Sequence, residues 1–128
     1  MDNMIYFNFE KLTVYQRSLK FVEEIYTITK EFPMDERFGL ISQIKRAAVS
    51  IPSNIAEGSA KTKRDFRRYV DISKGSICEC VALLDLSVRI TYLEKRIFHK
   101  MKMELDELSR MLTGLKQSLI IKKDSLNS

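Results

Sequence analysis

The chain has 128 residues, 45% hydrophobic and 30% charged, with a net charge of +5. Such a composition describes one globular domain with a core of its own, not a disordered chain or a disulfide scaffold. No apolar run is long enough to span a bilayer and no signal-peptide pattern opens the chain, so a cytoplasmic protein is expected.

Only two prolines and four glycines punctuate the chain, strand-like alternation is nearly absent, and helical spacing recurs throughout. Four helices and no sheet are expected. Helix 1 runs from about Thr13 to Lys30, with Thr13 and Gln16 as a capping box and Pro33 as its stop. It carries two apolar stripes side by side: Val14, Phe21, Ile25, Ile28 and Phe32, then Leu12, Tyr15, Leu19, Val22 and Tyr26. A helix in a lone bundle needs one such stripe, so the surplus predicts a second buried face at a subunit contact.

Helix 2 is expected from about Asp35 to Glu57, with Ile41, Ile44, Ala48, Ile51 and Ile55 on its core face. A polar stripe of Gln43, Arg46, Ser50, Asn54 and Glu57 shares its phase. Both stripes keep register across Pro52, which predicts a bent helix rather than a broken one, closed by Gly58. Helix 3 opens after Thr62, with Asp65 as capping partner, and reaches about Ile90. Its seam is Phe66, Val70, Ser73, Ile77, Cys80, Leu84 and Val88, and Gly75 in mid-helix predicts close approach of another backbone. Helix 4, from about Glu94 to Ile121, repeats Phe98, Met101, Leu105, Leu108, Leu112, Leu115 and Leu119 at three-four spacing. Short connections make neighbours antiparallel, giving an up-down-up-down bundle over residues 1–128 with a frayed tail from about 124.

Candidate chemistry is sparse. Cys78 and Cys80, the only cysteines, point about 200° apart on a helix and should not bond to each other. With His99 as the only histidine, a zinc site is implausible. There is no H-x-x-x-H, cysteine cluster or phosphate loop, and Glu57 and Glu79 each have arginines nearby. No catalytic residue, metal or cofactor is assigned. The polar stripe reads as a structural network of Gln43, Arg46, Ser50, Asn54, Glu57 and Glu79, although a ligand or partner site is the other reading. Reflection through a turn near residues 59–61 sets Arg46 opposite Glu79, as a buried pair within the hairpin or across a subunit contact. The same reflection sets Asn54 and Glu57 near residues 64–68.

Charge is unevenly placed. Residues 61–68, KTKRDFRR, carry Lys61, Lys63, Arg64, Arg67 and Arg68 against Asp65, and residues 95–102 carry four more cations plus His99. Such clusters suit nucleic acid, with a solvated face as the alternative.

The stretch SQIKRAAVSIPSNIAEG (residues 42–58), followed by FRRYVDISKGSICE, resembles the four-helix bundle proteins encoded in intervening sequences of bacterial 23S rRNA genes. The likeness extends from KLTVYQRSLKFVEEIY to the helix 4 repeat. It implies a homopentamer of antiparallel bundles, similar to the basic pentameric accessory variability proteins of diversity-generating retroelements, which engage nucleic acid and a reverse transcriptase. Two departures stand out. Val81, Ala82 and Leu83 replace polar residues after Glu79, and Ile90-Thr91-Tyr92-Leu93 lacks the glycine usual between helices 3 and 4. The expected function is a non-enzymatic oligomer that binds nucleic acid, RNA favoured, through phosphate contacts from the 61–68 cluster. The alternative is a protein-interaction scaffold whose ring recruits another polypeptide such as a reverse transcriptase.

Overall fold

The computed structural model describes residues 4–120. A 3-10 turn at Asn8–Lys11 leads into α1 (Thr13–Thr29) and a second, at Met34–Glu36, into α2 (Leu40–Ser59). Then come α3 (Lys63–Arg89) and α4 (Lys95–Ser118). There is no strand among the described residues. The helices contact one another in the cyclic order α1, α2, α3, α4 and back to α1, as in a four-helix bundle. Contacts between α2 and α3 run in opposite directions along the two helices: Gly58 meets Phe66 and Tyr69, Ile51 meets Ser73, and Ser50 meets Ser76. The α3–α4 pair is likewise antiparallel, through Arg67 with Lys116 and Lys74 with Thr113.

The expected periodicities face the core. Phe21, Ile25, Ile44, Ile51, Ile55, Val70, Leu84, Leu105, Leu108 and Leu112 are fully buried. Each such side chain contributes about 1.5–3 kcal/mol relative to exposure. The surplus on α1 is largely used within the chain. Leu12, Tyr15, Val22 and Ile28 pack against the edge of the core, which leaves Leu19 and Tyr26 at 39% and 43% exposure. Lys45 Nζ sits 4.4 Å above the Tyr26 ring.

Several helix ends differ from expectation. The Thr13–Gln16 capping box does not form: Leu12 is the N-cap and offers no side-chain acceptor. Gln16 Nε2 instead donates to the Glu10 carbonyl at 2.8 Å, which the preceding 3-10 turn places within reach. Helix α2 starts at Leu40, not Asp35, because Gly39 (φ −111°, ψ −109°) leaves the helical region. The preceding turn still serves the helix, since Leu40 N–H donates to Glu36 Oε1 at 3.3 Å. Pro52 is buried inside α2, which runs on to Ser59. Helix α3 starts as expected, with Thr62 Oγ1 accepting from Asp65 N–H at 3.2 Å. It ends in a Schellman motif: Tyr92 N–H donates to Ser87 O and Thr91 N–H to Val88 O, with Thr91 at φ 67°. The expected extension of α4 to Ile121 and the tail from 124 lie outside the described residues.

The two glycine assignments reverse. Gly58 is not a cap but a buried residue inside α2, where a Cβ would lie 2.6 Å from Tyr69 Cβ and 2.8 Å from Phe66 Cδ1. It lets α2 and α3 approach at their turn. Gly75 has open space around it, and nothing would meet a Cβ there within 4 Å. The contact expected at Gly75 is made one residue on, by Ser76.

Candidate nucleic-acid interface

The link between α2 and α3 is three residues long, so the basic run 61–68 sits at one tip of the bundle. Lys61, Lys63, Arg64 and Arg68 are exposed there. Asp65 cannot neutralise them as a group, because it is a single carboxylate among five cations. Arg68 lies with its guanidinium 5.9 Å from the Tyr69 ring centroid. Arg67 differs from the others. It is half-buried, and its Nη1 donates at 2.7 Å to the Lys116 carbonyl, which also accepts from Leu119 N–H at 3.1 Å in the last turn of α4. Lys116 in turn contacts both carboxylate oxygens of Asp71 at 2.9 Å. Phe66 belongs to the core and is not free to stack on a base.

The polar stripe divides in two. Ser50 and Asn54 are partly buried and joined: Asn54 Nδ2 donates to Ser50 O and Oγ, both at 2.8 Å, and Ser50 Oγ lies 2.8 Å from Ser76 Oγ. Gln43, Arg46, Glu57 and Glu79 are exposed. Among the described residues no ion pair joins Arg46 to Glu79 within the chain, so the buried pair expected inside the hairpin is absent. Nor does Glu57 pair with the arginines at 64–68, and Asn54 turns along its own helix instead. The reason is angular: these residues face away from the bundle, on the outer side of the α2–α3 hairpin.

The apolar residues on that outer side were not anticipated from the sequence. It holds a shallow groove of about 580 Å³ lined by Phe38, Gln43, Arg46, Leu86 and Ile90 among others. Phe38 is 88% exposed, and Leu86 and Ile90 are exposed as well. The signal was present in Leu86 and Ile90, which are four apart and lie off the Leu84–Val88 seam. The second basic cluster, at residues 95–102, occupies the first two turns of α4 beside the other end of α3, which ends in Arg89.

The thiols are in different settings. Cys78 is exposed, whereas Cys80 is buried, and burial pushes its thiol up to about 12, with Glu79 adding to the effect. Hydrogen bonding to Glu36 raises the Tyr92 phenol above its ordinary value, and the bidentate contact with Glu104 raises Arg17. Among the described residues no three His, Cys, Asp or Glu side chains gather as a metal set, and no helix is long and apolar enough to cross a membrane.

The profile of the 23S rRNA-intervening sequence proteins matches residues 10–114. A crystal structure of a protein with unknown function from the S23 ribosomal protein family of Bacteroides thetaiotaomicron is similar to the chain, with a TM-score of 0.74. The likeness covers 81% of this chain and 95% of the other at 24% identity, and it shows the fold. The comparison with curated proteins returned no match.

Proposed function

The chain belongs to the 23S rRNA-intervening sequence protein family, and on that premise we propose that it is a non-enzymatic, self-associating protein that binds nucleic acid, RNA favoured. The observation that carries this reading is the set Lys61, Lys63, Arg64 and Arg68, exposed together at the α2–α3 tip. Contacts from such a set go mainly to phosphates and carry little sequence information. Arg67, held by the α4 carboxyl end, positions this tip rather than joining the contact surface.

Self-association is supported by the outer face of the α2–α3 hairpin. Phe38, Leu86 and Ile90 are exposed there beside Arg46, with Glu79 exposed on the same hairpin. A second copy brings both apolar surface and opposite charge to this face. Five copies in a ring, with α2 bent at Pro52, is the arrangement that the family resemblance suggests, and avidity then multiplies a weak patch. The second reading, a scaffold that recruits another polypeptide such as a reverse transcriptase, draws on the same apolar face and on the similarity to retroelement accessory proteins.

A salt titration of RNA retention tests the main reading, since phosphate contacts weaken steeply with salt and an apolar protein groove does not. Retention by the native protein that weakens clearly in a Lys61, Lys63, Arg64 and Arg68 to Gln variant supports it. No retention at low salt removes it in favour of the scaffold. Light scattering that gives only the 15.0 kDa mass of one chain removes the self-association.

A further inference from the structure

Basic side chains gather at both ends of the bundle. Residues 61–68 carry five cations against Asp65, and residues 89–102 carry five (Arg89, Lys95, Arg96, Lys100 and Lys102) against Glu94. Each segment is net +4, so within a total of +5 the rest of the chain is net −3. The basic character of the protein is therefore confined to two places. They are opposite ends, one at the α2–α3 link and one around the α3–α4 link, with residues 69–88 of α3 between them. At 1.5 Å per residue those 20 residues span about 30 Å. Screening reduces fields beyond about 10 Å in 0.1 M salt, so the two clusters act independently.

Apart from Lys102, whose Nζ lies 5.7 Å from the Phe98 ring centroid, packing and pairing do not explain the second cluster. Lys95, Arg96, His99 and Lys100 are exposed. Arg96 reaches Glu94 only at 3.9 Å and Arg89 reaches Asp85 at 3.7 Å, all four side chains being at least half exposed. Exposed pairs of this kind contribute little. Among the described residues Lys95 and Lys100 meet no carboxylate. Helix stability does not call for these cations either. The first turn of α3 holds Asp65, whereas that of α4 holds Lys95 and Arg96 and no acid, against the helix dipole. The carboxylates of α4 come later and are taken: Glu104 and Glu107 by Arg17, and Asp106 by Arg110.

We infer that the α3–α4 end is a second, separate phosphate-binding site for nucleic acid, so that one chain grips a nucleic-acid backbone at two points about 30 Å apart. This rests on the nucleic-acid reading above and adds a contact that reading does not contain.

The test compares the native protein with two variants on a duplex RNA long enough to span α3. One variant carries Lys95→Gln, Arg96→Gln and Lys100→Gln, and the other Lys61→Gln, Lys63→Gln, Arg64→Gln and Arg68→Gln. Fluorescence anisotropy is followed across a salt series. The three substitutions at the α3–α4 end should weaken binding at least about tenfold in 0.1 M salt and flatten the log–log salt slope by about 2. Combining both variants should abolish binding. Circular dichroism should be unchanged, because all the substituted side chains are exposed. If the triple variant loses helicity, Lys100→Gln alone should still flatten the slope by about 0.7–0.9. Native-like affinity and slope in the α3–α4 variants would overturn this second site and leave the nucleic-acid reading standing. Failure of the native protein to bind at low salt overturns both.

Discussion

Ser50 and Ser76 hold their hydroxyl oxygens 2.8 Å apart across the contact between α2 and α3. Asn54 Nδ2 donates to the same Ser50 oxygen at 2.8 Å, and Ser76 donates to the Ile72 carbonyl at 3.2 Å. Using each hydrogen once, the chain of donors runs from Asn54 through Ser50 and Ser76 to that carbonyl. Two helices are thereby joined by side chains that the helical period alone assigns to a polar surface.

Ser50→Ala and Ser76→Ala should each destabilise the fold by about 1 kcal/mol, the net worth of a hydrogen bond. Because the two hydroxyls share one bond, the double variant should lose less than the sum. Thermal melting of the four proteins checks this, and strictly additive losses would dissociate the pair.

Gly58→Ala should destabilise by about 2 kcal/mol, because the new methyl meets the Cβ of Tyr69 and the ring of Phe66 where neither can yield without shifting α3. Gly75→Ala should do the opposite. Its surroundings are open, and alanine gains about 0.5–1 kcal/mol in a helix interior. Urea midpoints of opposite shift are expected.

Thr91 is a β-branched residue in left-handed backbone, at φ 67°. Thr91→Gly removes the clash of Cβ with the carbonyl and should stabilise by about 1 kcal/mol, after the extra entropy of glycine is offset. A lower urea midpoint for the variant would mean that the threonine makes a contact outweighing the strain.

Arg67→Ala should lower the melting temperature by a few degrees through loss of the Lys116 carbonyl contact, whereas Lys63→Ala and Arg64→Ala should leave it unchanged. RNA retention should respond in the reverse order. An Arg67 variant with native stability and lost binding would return this residue to the contact surface.

A thiol reagent at mildly alkaline pH should modify Cys78 in the native protein and reach Cys80 only on unfolding. The folded value of Cys80, about 12, is above its ordinary 9.0. Its contribution to stability is therefore complete below pH 9 and lost as pH rises towards 12. Mass spectrometry of the labelled protein checks the first statement, and melting across an alkaline series checks the second.

What could be read from the residues alone followed period and composition. The seams of α3 and α4 were legible because Leu105, Leu108 and Leu112 repeat without interruption and Thr62 with Asp65 marks a start. Basic runs were legible for the same reason. Interactions that depend on orientation were not. Arg46 and Glu79 have the right spacing for a hairpin pair, yet both point outward. Gly58 and Gly75 look alike in sequence, and only the position of Tyr69 on the facing helix separates a tight contact from an open one. Arg67 reads like its neighbours 64 and 68 until the end of α4 arrives beside it.

The three-residue link between α2 and α3 bears on the order of folding. Closing so short a loop costs little chain entropy, and the seal at Gly58 lies immediately beside it. The Arg17–Glu104 contact that ties α1 to α4 closes 87 residues instead. The hairpin of α2 and α3 is therefore expected to nucleate the bundle. Ala48→Gly and Val70→Ala should slow refolding, while Arg17→Ala should chiefly speed unfolding. Equal effects on both rates at all three sites would speak for a diffuse nucleus. During synthesis α1 emerges first, and it gains its last neighbour only when α4 has been made.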